Sequence, residues 1–132
     1  MARVLIADDE IQVSRFLQSV AAALPGHHEC VRVSDAEEAI RELERGNLDL
    51  VLLDLELADA SSGRRLLTRY HHLLETAHLR PVPVIIISGR LDEEEGRALC
   101  KAYPFVRYAF QKPFDVDDLS IAMLDCLSHS PP

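Results

Sequence analysis

Four groups of residues in this chain have side chains that can do chemistry, and each follows a short apolar run. Asp8-Asp9-Glu10 comes after Val4-Leu5-Ile6-Ala7, and Asp54 closes Val51-Leu52-Leu53, with Leu55-Glu56 next. Ser88-Gly89-Arg90 comes after Val84-Ile85-Ile86-Ile87, and Gln111-Lys112-Pro113 after Val106–Phe110. Carboxylates gathered at one place are unfavourable unless a cation compensates them. Carboxylate oxygens with open water positions suit a hard divalent ion such as Mg2+. Lys112 offers a compact ammonium that balances charge and pairs with an anion. Asp54 is then placed as a nucleophile toward phosphorus, forming an acyl phosphate. Mg2+, Lys112 and the Ser88 hydroxyl would hold the phosphoryl oxygens. Taken singly, each group has a plainer reading: a helix start at Asp8-Asp9, a turn at Ser88-Gly89, little at Lys112-Pro113. Their conjunction, each at the end of an apolar run, carries the functional reading.

That conjunction needs a scaffold that brings strand ends together. The apolar runs Val4–Ala7, Val31–Val33, Leu48–Leu53, Val84–Ile87 and Val106–Phe110 are rich in Val, Ile and Leu. Near-continuous apolar character marks parallel strands covered on both faces. Helical spacing lies between them. Ile11, Phe16, Leu17, Val20, Ala21 and Leu24 share one face before Pro25-Gly26. Ser34-Asp35 starts a helix over Ala36–Arg45, which Gly46-Asn47 stops. Leu66, Leu67, Tyr70, Leu73 and Leu74 mark a third helix, closed by Pro81 and Pro83. Asp92–Ala102 is a polar-rich fourth, weakened by Gly96, and Asp115–Leu127 a fifth, with Asp117 and Asp118 where the helix dipole favours acids. Alternating β and α units imply an α/β fold with an open, doubly wound five-stranded parallel sheet. In such sheets sites form at the carboxyl ends of the strands, which is where the four groups fall.

Composition excludes several classes. The chain has 132 residues, 48% hydrophobic and 27% charged, which suits one domain and rules out disordered or collagen-like chains. Its 14 basic and 22 acidic residues give a net charge of -8, opposing non-specific nucleic-acid binding. No apolar run spans a membrane, and the start is not a signal peptide. Cys30, Cys100 and Cys126 lack metal-ligand spacing and read as reduced thiols packed on the core of a cytoplasmic protein. Residues 1–127 read as the domain and 128–132 as a tail or the start of a linker.

From Arg3 to about Leu127 the sequence resembles the receiver domain of two-component response regulators. The motifs are Val4-Leu5-Ile6-Ala7-Asp8-Asp9-Glu10, Val51-Leu52-Leu53-Asp54-Leu55-Glu56-Leu57, Val84-Ile85-Ile86-Ile87-Ser88-Gly89 and Lys112-Pro113-Phe114. The resemblance implies a flavodoxin-like three-layer sandwich of strand order 2-1-3-4-5. It implies phosphotransfer to Asp54 from a sensor histidine kinase or phosphotransfer protein, with no catalysis beyond self-phosphorylation and autodephosphorylation. It also implies roles: Asp9 and Asp54 hold Mg2+ through carboxylates, Asp8 mostly through water, and Glu56 through its backbone carbonyl. Ser88 would be the switch hydroxyl and Lys112 the phosphoryl contact. Output would pass through the face of the fourth helix, fifth strand and fifth helix, which is also a possible homodimer surface.

Three departures stand out. Where the family usually carries proline four residues after the acceptor and glycine eight after, this chain has Ala58 and Ser62, with Gly63 one later. The loop after Asp54 therefore reads as longer and less rigid. Ala109 stands where an aromatic switch residue is expected, and strand alternation sends Tyr108 and Phe110 to the opposite face. Activation would then run through loop and fourth-helix movement. Finally, Glu56 and Arg90, each two residues beyond a site residue, carry opposite charges and are expected to pair across the site mouth, partly blocking attacking water.

Other residues have bland readings. His71, Glu75 and His78 have metal-compatible helical spacing but read as a solvated face. His27-His28 reads as loop, and Arg64-Arg65 and Arg97 as surface charge. Two further functions compete: a degenerate receiver used only for protein contact, and a haloacid-dehalogenase-like phosphohydrolase. The second places its nucleophile on the first motif strand with another Asp two residues on, whereas here position 56 is Glu. Neither glycine motif of nucleotide-binding loops is present.

Overall fold

Every strand run ends in a helix start, and the chain folds back after each. The computed structural model describes residues 2–57 and 62–128. Its elements are β1 (Ala2–Ala7), α1 (Ile11–Ala23), β2 (His28–Val33), α2 (Ala36–Arg45), β3 (Leu50–Leu53), α3 (Ser62–Ala77), β4 (Val84–Ser88), α4 (Glu93–Ala102), β5 (Val106–Gln111) and α5 (Val116–Ser128). All strand pairs are parallel, in the order β2-β1-β3-β4-β5. That is the doubly wound, flavodoxin-like order, with its crevice between the carboxyl ends of β1 and β3.

Period-two alternation sorts the apolar strand residues into two layers. Leu5, Ala7, Val51, Leu53, Val84 and Ile86 pack on α2 and α3 through Ala39, Ile40, Leu43, Leu66 and Leu67. Val4, Ile6, Leu50, Leu52, Ile85 and Ile87 pack on α1 and α5 through Leu17, Val20, Ala21, Leu119, Ala122 and Met123. β1, β3 and β4 lie inside the sheet and are apolar on both faces. Edge strands β2 and β5 carry polar residues.

Side-chain caps start α2, α4 and α5, and a glycine ends α2. Asp35 Oδ1 accepts from Glu38 N (2.8 Å), and Gly46 takes the left-handed conformation (φ 77°) at the far end of α2. Asp92 Oδ1 accepts from Glu95 N (2.7 Å) at α4. Asp115 accepts from Asp118 N (3.0 Å), so it caps α5 rather than opening it. β3 begins two residues later than the apolar run suggests. There the Asp49 carboxylate, rather than the ladder, takes the Arg3 N–H (2.8 Å).

Two packing details bear on the site. Gly63 N donates to Leu55 O (3.1 Å), so α3 starts directly on the backbone of the residue after Asp54. Gly96, expected to weaken α4, is buried, and a Cβ there would lie 3.2 Å from Ala109 Cβ. The helix is seated on β5 through two minimal side chains. Tyr108 and Phe110 face the other layer, their rings 6.3 Å apart, and Tyr108 OH donates to Asp125 (2.6 Å).

At the amino ends of the strands, Arg3 lies 2.6 Å from Asn47 Oδ1, 3.5 Å from Glu29 and 3.7 Å from Glu42, while Arg45 reaches Glu42 at 3.2 Å. Below α3 the buried Tyr70 hydroxyl accepts from Val82 N (2.9 Å) and its ring meets Phe105 edge-on. Removing that acceptor strands a buried N–H. Tyr70→Phe is expected to lose about 1–3 kcal/mol of stability in urea denaturation, with unchanged site chemistry. A loss within error would show that water satisfies Val82.

Candidate functional site

The carboxyl ends of β1, β3, β4 and β5 deliver the four sequence groups to one crevice. Asp8, the first residue past β1, and Asp54, the first past β3, are each only 4% exposed, and Ser88 at the end of β4 is 1% exposed. Their backbones are held in the sheet's own pattern: Asp54 N donates to Ala7 O (2.9 Å) and Lys112 N to Ser88 O (2.9 Å). Lys112, beyond β5, extends its ammonium to Asp8 Oδ2 (3.1 Å), Asp54 Oδ2 (3.2 Å) and Glu10 Oε1 (3.7 Å). Its peptide bond to Pro113 is cis, which the sequence reading does not supply.

Each buried aspartate has its other oxygen occupied locally. Asp8 Oδ1 accepts from Glu10 N, and Asp54 Oδ1 from Glu56 N, both at 2.9 Å. Burial pushes both carboxyls above the usual aspartate range, partly opposed by those backbone donors and by Lys112. For Lys112, burial works to neutralise the ammonium, but Asp54 and Asp8 outweigh it and hold its pKa above the ordinary lysine value. One ammonium among four acids leaves the crevice short of positive charge.

Carboxylate oxygens of Asp8, Asp9, Glu10 and Asp54 lie within 4.8 Å of one another, the grouping among the described residues able to hold a metal. Two of these acids are exposed and two buried, and all offer hard oxygen donors that fit a small divalent cation. Glu10 was not among the sequence candidates for a ligand, although the third acid of a continuous run was a readable signal. A cavity of about 570 Å3 opens over this cluster, bounded by Asp9, Glu56, Leu57, Gly89, Arg90 and Lys112.

Glu56 and Arg90 stand at the rim of the crevice. Arg90 Nε lies 3.5 Å from Glu56 Oε2, and Ser88 Oγ donates to Glu56 Oε1 at 3.4 Å. The second contact has no sequence signal, because it depends on how the loop after β3 approaches the end of β4. Ala109 is half-buried toward α4, where its Cβ faces Gly96. Ala58 lies outside the described residues. His71 Nε2 is 2.7 Å from Glu75 Oε1 and its ring meets Tyr103 edge-on, so that helix face is occupied by its own contacts. No helix among the described residues is long and apolar enough to cross a membrane.

A parallel 2-1-3-4-5 sheet with an acid cluster, a buried hydroxyl and a lysine at its carboxyl edge defines a class. Residues 4–124 match the family described as the response regulator receiver domain, and the chain belongs to that family. It is 38% identical over 102 residues to protein-glutamate methylesterase/protein-glutamine glutaminase 4 of Geobacter metallireducens. That match covers 77% of this chain and 27% of the relative, so the chain spans about a quarter of that protein's length. Among solved structures it is similar in fold to the signal receiver domain of a LuxO repressor protein from Vibrio parahaemolyticus (TM-score 0.80, 23% identity, 96% of this chain and 90% of that one). It is also similar to the Mn2+-bound form of response regulator Rcp1 (TM-score 0.76, 21% identity, all of both chains).

Proposed function

We propose that this chain is a phospho-accepting receiver whose acceptor is Asp54. The observation that carries the reading is a buried carboxylate at the end of β3 with a lysine ammonium 3.2 Å from one oxygen and a buried serine at the neighbouring strand end. An Asp54 carboxylate oxygen attacks phosphorus of a phosphohistidine, carried by a sensor histidine kinase or a phosphotransfer protein. The new P–O bond forms as the P–N bond breaks, and the histidine nitrogen leaves with the bonding pair. Lys112 and the Ser88 hydroxyl take the phosphoryl oxygens, and the crevice excludes most water. Asp8, Asp9, Asp54 and the Glu56 carbonyl would hold Mg2+, which neutralises the developing charge when bound. The manganese-bound relative and the acid cluster support that assignment. Residues 1–127 form the receiver, and output passes through the α4-β5-α5 surface to an effector or a second copy.

Intact-protein mass after incubation with acetyl phosphate and Mg2+ tests this reading. The expected result is the mass increment of a single phosphoryl group, absent in Asp54→Ala. No adduct, even with a phosphorylated kinase as donor, would leave a module used only for protein contact.

Arg90, at the mouth of the crevice, bears on the lifetime of the product. A guanidinium over the mouth lies between bulk water and phosphorus. Arg90→Ala is expected to speed dephosphorylation by up to about fivefold, since an exposed charge contact is worth up to about 1 kcal/mol. An unchanged rate would remove Arg90 from any role in shielding.

A further inference from the structure

Position 109 holds no ring that could swing between two states, yet the crevice is tied to α4 by a short connection, residues 89–92. At its β4 end that connection is held by one carboxylate. Glu56 Oε1 accepts from the Ser88 hydroxyl at 3.4 Å, and Glu56 Oε2 pairs with Arg90 Nε at 3.5 Å. Arg90 N in turn donates to Ser88 Oγ at 3.4 Å, so the three residues form a closed triangle. Glu56 is itself fixed beside the acceptor, because its N–H donates to Asp54 Oδ1.

We propose that Glu56 is a resting-state latch whose two partners, the Ser88 hydroxyl and the Arg90 guanidinium, pass together to the phosphoryl group on Asp54. On this reading Arg90, rather than an aromatic side chain at 109, moves α4. The inference rests on the phospho-acceptor function proposed above.

The chemistry sets the direction of exchange. Both Glu56 contacts are at the long limit for hydrogen bonds and ion pairs, and Arg90 is 85% exposed, so each is weak and easily surrendered. A phosphoryl group brings three acceptor oxygens and about 1.5 to 2 negative charges, against one on Glu56. It out-competes Glu56 for a hydroxyl and a guanidinium, and it repels the displaced carboxylate. Guanidinium geometry also suits bidentate contact to phosphate oxygens.

Movement at Arg90 enters the helix directly. Asp92, two residues on, is the cap of α4, and the intervening Leu91 is buried, close to Gly96. Under Gly96 the seat of α4 on β5 is small on small, against Ala109, with Leu99 and Cys100 packing on the core further along the helix. A bulky residue at either position would key the helix in place.

Beryllofluoride with Mg2+, a stable mimic of the phosphoryl group, separates the possibilities. Fluorine resonances report occupancy, and amide shifts of residues 93–102 report α4. Wild type is expected to show bound fluorine signals together with α4 shifts and a shift of Arg90 Nε. Glu56→Gln without beryllofluoride is expected to move the α4 amides part of the way along the same path. At saturating beryllofluoride, Arg90→Ala is expected to lose about threefold in α4 displacement while the fluorine signals persist, with Arg90→Lys restoring part of it. No bound fluorine in wild type overturns the acceptor reading itself and the latch with it. Bound fluorine with a full α4 displacement in Arg90→Ala overturns the latch and leaves the acceptor reading standing.

Discussion

Asp54→Asn is expected to take up no phosphoryl group from acetyl phosphate and to unfold at a higher temperature than the parent protein. The first effect is chemical. A carboxamide oxygen is a poor nucleophile and forms no stable acyl phosphate, so the mass increment disappears. The second comes from burial. In the folded protein, burial raises the Asp54 carboxyl above its ordinary value of 3.8, the backbone donor of Glu56 and the Lys112 ammonium opposing it only in part. A carboxyl raised on folding binds protons more tightly in the native state. Between the unfolded and folded pKa values stability therefore falls as pH rises, and above the folded value the penalty is complete. Asp8 is raised in the same way, so the parent should gain stability as pH falls from neutrality into the window just above 3.8. Asp54→Asn removes one of these buried charges while Lys112 keeps Asp8 and Glu10. We expect a gain of about 1 kcal/mol at pH 7, or about 3–5 °C in melting temperature, shrinking as pH is lowered. Thermal melts of both proteins at neutral and mildly acidic pH measure this. A lower melting point for the variant at pH 7 would mean that Lys112 more than offsets the desolvation of Asp54.

Gly63→Ala is the second large effect, with the opposite sign. A Cβ on Gly63 would fall inside the van der Waals shells of Leu55 Cα, C and O. These are backbone atoms of a buried residue adjoining Asp54, and no rotamer change relieves the overlap. Either α3 lifts from the sheet or the strand end shifts. The expected loss is about 2–4 kcal/mol in urea denaturation, accompanied by slower phosphorylation as Asp54 is displaced. A variant with the parent's urea midpoint would show that the start of α3 is free to move.

The residues of the candidate site were legible because buried strands end abruptly. Val51-Leu52-Leu53 and Val84–Ile87 are apolar on both faces, so the first polar side chain beyond each marks the carboxyl edge of the sheet. Edge strands were less legible. β2 runs from His28, but His28, Glu29 and Arg32 are polar residues on a half-covered strand, and an apolar run shows only Val31–Val33. Gly96 was misjudged from local propensity, since a glycine inside a helix looks like a defect until the strand it rests on is known. The Ser88–Glu56 contact had no signal at all, because it joins a strand end to a loop 32 residues away whose approach is set by the whole sheet.

The arginine cluster at the amino edge of the sheet gives the domain a polarity of frustration. There Arg3 ties β1 to Glu29 on β2, Glu42 on α2 and Asn47 before β3. At the other edge the same strands end in surplus acid around one lysine. The fold thus concentrates its unbalanced charge at the candidate site and spreads paired charge over the end farthest from it. Events at the crevice can rearrange loops without loosening the strands that carry them.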